Sequence, residues 1–415
     1  MTALQELRDR MMRVENGVQD FIPNPHTRMR SVFNMAKATY SLIGSVTGVG
    51  KTSFVDDTYV LRPFIWYRDQ DDSDIHFEGI YWSMERKRVV KTAKWSSWML
   101  FEEKKEKIPY DLLLGTKLDL KAKLDAKGYP VIQKLSARQK KLLASNEKLM
   151  EHLFEVIDVQ DGIKTVAQME KQIEQKAFQL GNYFHTDGEF LYHNNKKQSL
   201  SFIDKGRWKS TRRGKVVVID FAFKGKNYEL TQNSRLYIPK KPNTFVFLIT
   251  DHIGKISIFP YKSKKLAIDA YDAVMSEARD KFGFSPIAIS QFNRDVSNIA
   301  RIKDSKGKLE PLMEDFKDTG NPAESADFVG SLFDPYRYSS YDSNGRYKGY
   351  SISQGTLSPI GGQRFRSFHV LKNSYGPAQI AYGMRFTGEI MRTDLLPLPD
   401  DPKLAAIYAD IAAGH

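Results

Sequence analysis

The stretch Thr39-Tyr-Ser-Leu-Ile-Gly-Ser-Val-Thr-Gly-Val-Gly-Lys-Thr-Ser53 decides the fold. A short apolar run enters a glycine-rich turn, and Gly50-Lys51-Thr52 opens a helix. Backbone N–H groups of such a turn, and of the helix start behind it, converge on phosphates. The segment therefore reads as a P-loop in which Gly48, Val49, Gly50, Lys51, Thr52 and Ser53 hold the nucleotide. Lys51 brings a cation to the β- and γ-phosphates, and Thr52 a hydroxyl to Mg2+. ATP and Mg2+ are the expected cofactors. The first glycine of the motif is replaced by Ser45, with Gly44 one place earlier. A Gly-Lys-Thr triplet is common by chance, but one set between an apolar strand and a helix is far less so.

Working outward, three further apolar runs end in polar groups. Gly79-Ile-Tyr-Trp-Ser-Met-Glu85 ends in a glutamate suited to orient or deprotonate an attacking water. Taken alone, Glu85 is better explained as an acidic residue in a helix's first turn. Thr244-Phe-Val-Phe-Leu-Ile-Thr-Asp251 ends in a carboxylate suited to the water shell of Mg2+, so Thr52 and Asp251 are the candidate metal residues. Pro286-Ile-Ala-Ile-Ser-Gln291 ends in an amide able to sense the γ-phosphate. Ligands bind at the carboxyl ends of parallel strands, and three such endings are hard to ascribe to packing. Strand–helix alternation over about 30–101, resumed from 244 to about 397, predicts an α/β fold with a mainly parallel sheet.

The rest of the chain sets limits. Apolar residues make up 41% and charged residues 27% of 415, as in a soluble globular protein. No run of about 18 apolar residues occurs, and the first residues lack the apolar core of a signal peptide, so no membrane partner is expected and the cytoplasm, or a host cell's cytoplasm, is the default. With no cysteine, disulfides and thiolate metal sites are excluded. Lys and Arg number 63 against 50 Asp and Glu, a net +13 that fits a polyanionic partner. Residues 1–20 read as a short helix with Leu4, Leu7, Met11 and Val14 on one stripe, which needs a surface to dock on. Residues 102–181 are charged and mostly helical in pattern. Residues 182–243 read as a β-rich insertion, from strand-like runs punctuated by HNNKK and KGKN. The core thus spans 21–181 and 244–400, and 401–415 form a C-terminal helix or tail.

These motifs also carry a resemblance. Ser83-Met-Glu85, Asp251-His252-Ile-Gly, Ser290-Gln291-Phe-Asn293-Arg294 and Leu312-Met-Glu-Asp-Phe-Lys-Asp-Thr-Gly320 are similar to successive motifs of DnaB-type replicative helicases, in the same order. Ser325-Ala-Asp327, Phe365-Arg-Ser-Phe-His-Val-Leu-Lys-Asn-Ser-Tyr-Gly-Pro377 and Gly388-Glu-Ile-Met-Arg392 continue the match. It covers about 30–181 and 244–397. The resemblance implies a RecA-like P-loop ATPase core and a ring, usually of six subunits, moving along single-stranded DNA with ATP between neighbours. Single-stranded DNA and copies of the same chain are the partners it implies, with primase or other replisome proteins as further candidates. Glu85, Lys51, Gln291 and Lys372 then become the catalytic set, Lys372 serving the neighbouring subunit. Two departures stand out. Where the family places an arginine two residues after that lysine, this sequence has Ser374, leaving Arg364 or Arg366 as substitutes, or slow hydrolysis. The second is that no N-terminal collar or primase domain is expected, as in a phage-like variant.

Loops leaving the Asp251 and Gln291 strands are the DNA candidates: Lys255, Lys262, Lys264 and Lys265 on the first, Arg294, Arg301, Lys303, Lys306 and Lys308 on the second. Phosphates demand charge and little geometry, although a charge run is more often only a solvated face. Phe259 and Tyr261 are candidates to stack on bases or to pack in the core. Trp208, Arg212, Arg213 and Lys215 are candidates for an outer surface of the insertion. The eight histidines show no ligand spacing; His252 reads as support for the Asp251 strand, and Trp82, Trp95 and Trp98 as core. Two other classes stay open: a recombinase-like filament ATPase, and a nucleotide-gated assembly switch without motor activity.

Overall fold

The computed structural model describes residues 21–70, 75–119, 129–198, 209–213, 216–231, 234–241, 243–293, 301, 309–353 and 364–413, with Arg8, Met11, Met12 and Glu15 before them. The rest of the helix read over 1–20 lies outside the described residues, as do Arg294, Lys303, Lys306, Lys308, Trp208 and Lys215.

Ser41–Ser45 (β1) is buried along its whole length, as a strand covered on both faces must be. It lies inside a sheet of nine strands. The others are Ile75–Ser83 (β2), Ile157–Gln160 (β3), Asn243–Asp251 (β4), Ser285–Gln291 (β5), Phe328–Phe333 (β6), Phe365–Asn373 (β7), Ile380–Thr387 (β8) and Arg392–Leu395 (β9). The order is β9-β8-β7-β6-β1-β5-β4-β2-β3. From β3 to β6 every pairing is parallel, and β7, β8 and β9 are added antiparallel. The fold is thus α/β with a mainly parallel sheet. Strand β3 falls inside the segment whose pattern is mostly helical. Ile157 and Val159 alternate with Asp158 and Gln160 over only four residues, too short a period-two signal to stand out between helices.

Helix Lys51–Val55 (α1) follows β1 and runs through a π-helical stretch, Asp56–Leu61, into Arg62–Arg68 (α2). Arg88–Lys104 (α3) follows β2, and Val166–Leu180 (α4) follows β3. A capping box between Thr165 and Gln168 starts α4 and satisfies its first backbone donors. Lys264–Phe282 (α5) is capped by the Ser263 hydroxyl, which accepts from the Leu266 N–H, and ends at left-handed Gly283. Its buried residues Ala267, Ile268, Tyr271, Met275, Ala278 and Phe282 recur at helical spacing and face the sheet.

Between α4 and β4 the chain leaves the sheet and returns. Gly181–Thr186 and Arg235–Pro239 pair antiparallel, so the excursion opens and closes at one point. Two further strands complete a sheet of four with this pair, and three more form a second sheet. Phe184, Leu191, Ile219, Phe221 and Leu230 form a core there that is separate from the main one. Among the described residues no helix is long and apolar enough to cross a membrane.

Two buried histidines carry a prediction. His26 lies against the Thr58 hydroxyl at 3.3 Å, and His369 packs between Tyr347 and Ser367. Burial, mainly, lowers both imidazoles from 6.5 to about 3, so both are neutral in the folded chain. The unfolded chain takes up both protons below 6.5. Stability should therefore fall as pH drops through the window from 6.5 towards 3, by about 1.4 kcal/mol per pH unit for each histidine. Denaturant midpoints at successive pH values check this; a flat profile between pH about 6.5 and 4.5 would contradict it.

Candidate active site

The strand register brings the polar endings to one edge. Gln291 pairs with Ser45, and Asp251 with Ser83, two residues before Glu85. The phosphate loop leaves β1 at that same edge. Gly50 adopts φ 105°, and a Cβ there would meet the Phe386 ring at 2.9 Å. Only glycine combines that left-handed turn with that close approach. Gly44 is equally constrained, since a Cβ would lie 2.3 Å from Phe316. This accounts for the glycine one place early: it lets the strand pack against Phe316 and Phe292, while the Ser45 hydroxyl donates to the Val46 carbonyl at 2.7 Å.

The Thr52 hydroxyl donates to Asp251 Oδ1 at 2.9 Å. The other oxygen, Oδ2, is held from beneath by the Tyr81 hydroxyl at 3.3 Å and the Lys91 ammonium at 3.4 Å. Lys91 is 1% exposed and also pairs with Asp56 at 3.1 Å, over the face of Tyr81. Asp251 is thus fixed with one oxygen inward and the other towards the loop. Hydroxyl and carboxylate are the hard oxygen donors Mg2+ takes from protein, the remainder coming from phosphate and water, so Thr52 and Asp251 fit that ion. No group of three or more His, Cys, Asp or Glu suited to a metal occurs among the described residues.

Lys51 is buried beside this pair. Desolvation lowers its pKa, while Asp251 and Glu85 oppose that shift. Glu85 Oε1 lies 3.0 Å from His252 Nε2. Because His252 Nδ1 accepts the Gly254 N–H at 3.1 Å, Nε2 carries the hydrogen and donates it to Glu85. Burial also lowers the pKa of His252, which keeps the ring neutral. His252 therefore orients the carboxylate, a role the sequence reading did not assign.

Other candidates fall differently. Ser53 is buried and donates to the Met391 sulfur at 3.5 Å, which makes it a core contact. The Val49 carbonyl accepts from Arg366 Nε at 2.8 Å, and Arg366 also pairs with Asp334 at 3.2 Å. Arg366 is thus spent beneath its own loop, which removes it as a substitute for the missing arginine. Arg364 pairs with Glu389 at 3.3 Å. Lys372 donates to the Glu324 carbonyl at 2.6 Å. Among the DNA candidates, Lys264 is not a free loop cation: it opens α5, donates to the Ile256 carbonyl and has its pKa lowered by burial. Arg301 is likewise bound to Asp315 and the Glu310 carbonyl. Lys255, Lys262 and Lys265 are exposed, and Phe259 is 76% exposed. Trp82, Trp95 and Trp98 are core, Trp98 donating to Asp57 at 2.6 Å. Lys91, Asp56 and Arg337, which reaches the loop, were missed. A lysine and an aspartate inside helical patterns, and an arginine in a tyrosine-rich loop, look like solvated residues.

Sheet order, phosphate loop and strand-end carboxylates together define a RecA-like P-loop fold. Among solved structures, the chain is similar to an ATPase domain at 12% identity, covering 96% of this chain and 100% of that one with TM-score 0.53. It is also similar to "The Structure Of A DnaB-Like Replicative Helicase And Its Interactions With Primase", at 13% identity over 94% of this chain and 67% of that one, TM-score 0.52. No protein-family model and no curated protein sequence matches the chain.

Proposed function

We propose that the chain is a Mg2+-dependent ATPase of the DnaB-like helicase kind, working as an assembly of copies on single-stranded DNA. The observation that carries this is the Thr52–Asp251 contact at 2.9 Å, set beside buried Lys51 and the His252-held Glu85 at one sheet edge. In the reaction the water oxygen attacks the γ-phosphorus. The bond from that phosphorus to the β–γ bridging oxygen breaks, its electron pair leaves with ADP, and Glu85 takes the water's proton. Lys51 faces the charge on the phosphates, Gln291 stands where an amide can touch the γ-phosphate, and Lys372 serves a neighbouring copy's nucleotide. Mg2+, held through Thr52 and Asp251, would supply charge neutralisation at the phosphates.

The deciding experiment is steady-state ATP turnover with and without single-stranded DNA, beside strand displacement on a forked duplex. Turnover stimulated by DNA with unwinding is expected. Nucleotide binding without turnover would favour the assembly switch, and turnover without unwinding a filament ATPase.

The DNA surface has its own test. Replacing Lys255, Lys262 and Lys265 together with alanine should weaken single-strand binding. It should also lower the slope of log K against log salt by about 2, since each phosphate contact on a single strand contributes about 0.7. An unchanged slope would place the DNA elsewhere.

A further inference from the structure

The sequence lacks the arginine that a trans-acting strand would offer at Ser374, yet an arginine stands at the phosphate loop from within the same chain. After β6 the chain makes a tight turn over Asp334–Ser340, closed by the Ser340 N–H on the Pro335 carbonyl at 2.8 Å and the Ser339 N–H on the Tyr336 carbonyl at 3.1 Å. From this turn Arg337 reaches across, and its Nη1 donates to the Thr47 carbonyl at 2.6 Å. Built on Gly48, a Cβ would have Arg337 Nη1 as its neighbour at 3.6 Å. The guanidinium thus lies on the rim of the loop whose N–H groups face the phosphates.

One carboxylate ties this arginine to the floor of the site. Asp334 Oδ1 accepts the Arg337 backbone N–H at 3.1 Å, while Asp334 Oδ2 pairs with Arg366 at 3.2 Å. Arg366 in turn donates to the Val49 carbonyl. The loop is therefore held by Arg366 below and met by Arg337 above, both fixed by Asp334. The two arginines differ in one decisive respect. Arg366 is 6% exposed and enclosed, whereas Arg337 is exposed and, of its guanidinium nitrogens, only Nη1 has an acceptor among the described residues. A guanidinium with donors to spare, positioned at the loop rim, suits the three oxygens of a γ-phosphoryl group as charge builds on them and on the departing bridging oxygen.

Resting on the ATPase reading above, we infer that Arg337 is a catalytic residue acting in cis: it contacts the γ-phosphate of the ATP bound to its own subunit and supplies the arginine that Ser374 does not. The test uses the full chain carrying Arg337→Ala or Arg337→Lys. It measures kcat, KM, affinity for a non-hydrolysable ATP analogue, and affinity for ADP with aluminium fluoride. Arg337→Ala should lower kcat by about 10³-fold, the lower end of what an arginine finger supplies. Analogue affinity should stay within about threefold, and the aluminium fluoride complex should weaken in step with kcat. Arg337→Lys should recover only part of the rate, because an ammonium lacks the planar fork. Mixing Arg337→Ala subunits with Lys51→Ala subunits should restore nothing, since neither holds a complete site of its own.

Recovery on mixing would overturn the cis assignment. Weakened analogue binding with unchanged kcat at saturating ATP would also overturn it, by making Arg337 a prop for the loop. An active wild type beside an equally active Arg337→Ala overturns this inference alone, whereas a wild type with no turnover overturns the ATPase reading with it.

Discussion

Glu85→Gln should keep its affinity for ATP and lose turnover by about 10²–10⁴-fold, the range a positioned general base contributes. The amide has the carboxylate's shape, and its oxygen can still accept from His252 Nε2, which lies 3.0 Å from Glu85 Oε1. It cannot take the water's proton. Single-turnover hydrolysis beside equilibrium nucleotide binding separates the two effects. Normal turnover in this variant would move the base elsewhere. Lys51→Ala should fall below detection, because Arg366, the buried cation beneath the loop, is held by the Val49 carbonyl and Asp334. Lys91, the other buried ammonium nearby, is committed to Asp56 and Asp251.

That commitment leads to the largest expected effect on stability. Lys91→Met keeps the length of the side chain and removes its charge, leaving Asp56 and Asp251 buried at 1% exposure each without their shared cation. Breaking a buried pair in this way costs about 3–5 kcal/mol, a large part of a net stability of about 5–15 kcal/mol. Adding Asp56→Leu removes one of the stranded carboxylates and should recover part of the loss. Denaturant midpoints of the single and double variants check the coupling. Equal midpoints would show that Asp56 and Lys91 do not depend on each other. The single variant should also require more Mg2+ for half-maximal turnover, since Asp251 Oδ2 would be held inward by the Tyr81 hydroxyl alone.

The parts of the site legible in the sequence are those where a strand pattern stops. Apolar runs ending at Ser45, Glu85, Asp251 and Gln291 announce both a parallel sheet and its functional edge, because continuous burial and a sudden polar group are visible in one dimension. What could not be read is pairing across the chain. Lys91 and Asp56 lie 35 positions apart, each inside a helical pattern where a charge signals solvent, and only the packing of α3 against the helix behind the loop turns them inward. Arg337 and Thr47 are 290 positions apart and share no motif. The contacts of two loop cations were hidden for the converse reason. Lys264 and Arg301 belong to basic runs, but a nearby carbonyl and a nearby carboxylate hold them within the chain.

The antiparallel addition to the sheet has a consequence for symmetry. Val329 of β6 pairs with Leu42 on one side and Lys372 on the other, so Lys372 lies level with the start of β1. Ser45, where the loop begins, is three residues farther along, about 10 Å at the rise of a strand. That offset along the strand fits the proposal that Lys372 serves the nucleotide of another copy. Under the proposed function, with Lys372 and the nucleotide it serves presented on unlike surfaces, copies would join head to tail in a row or a ring. Any open row of copies keeps one terminal nucleotide without its lysine. The complete fraction rises as the row lengthens and reaches unity only on closure.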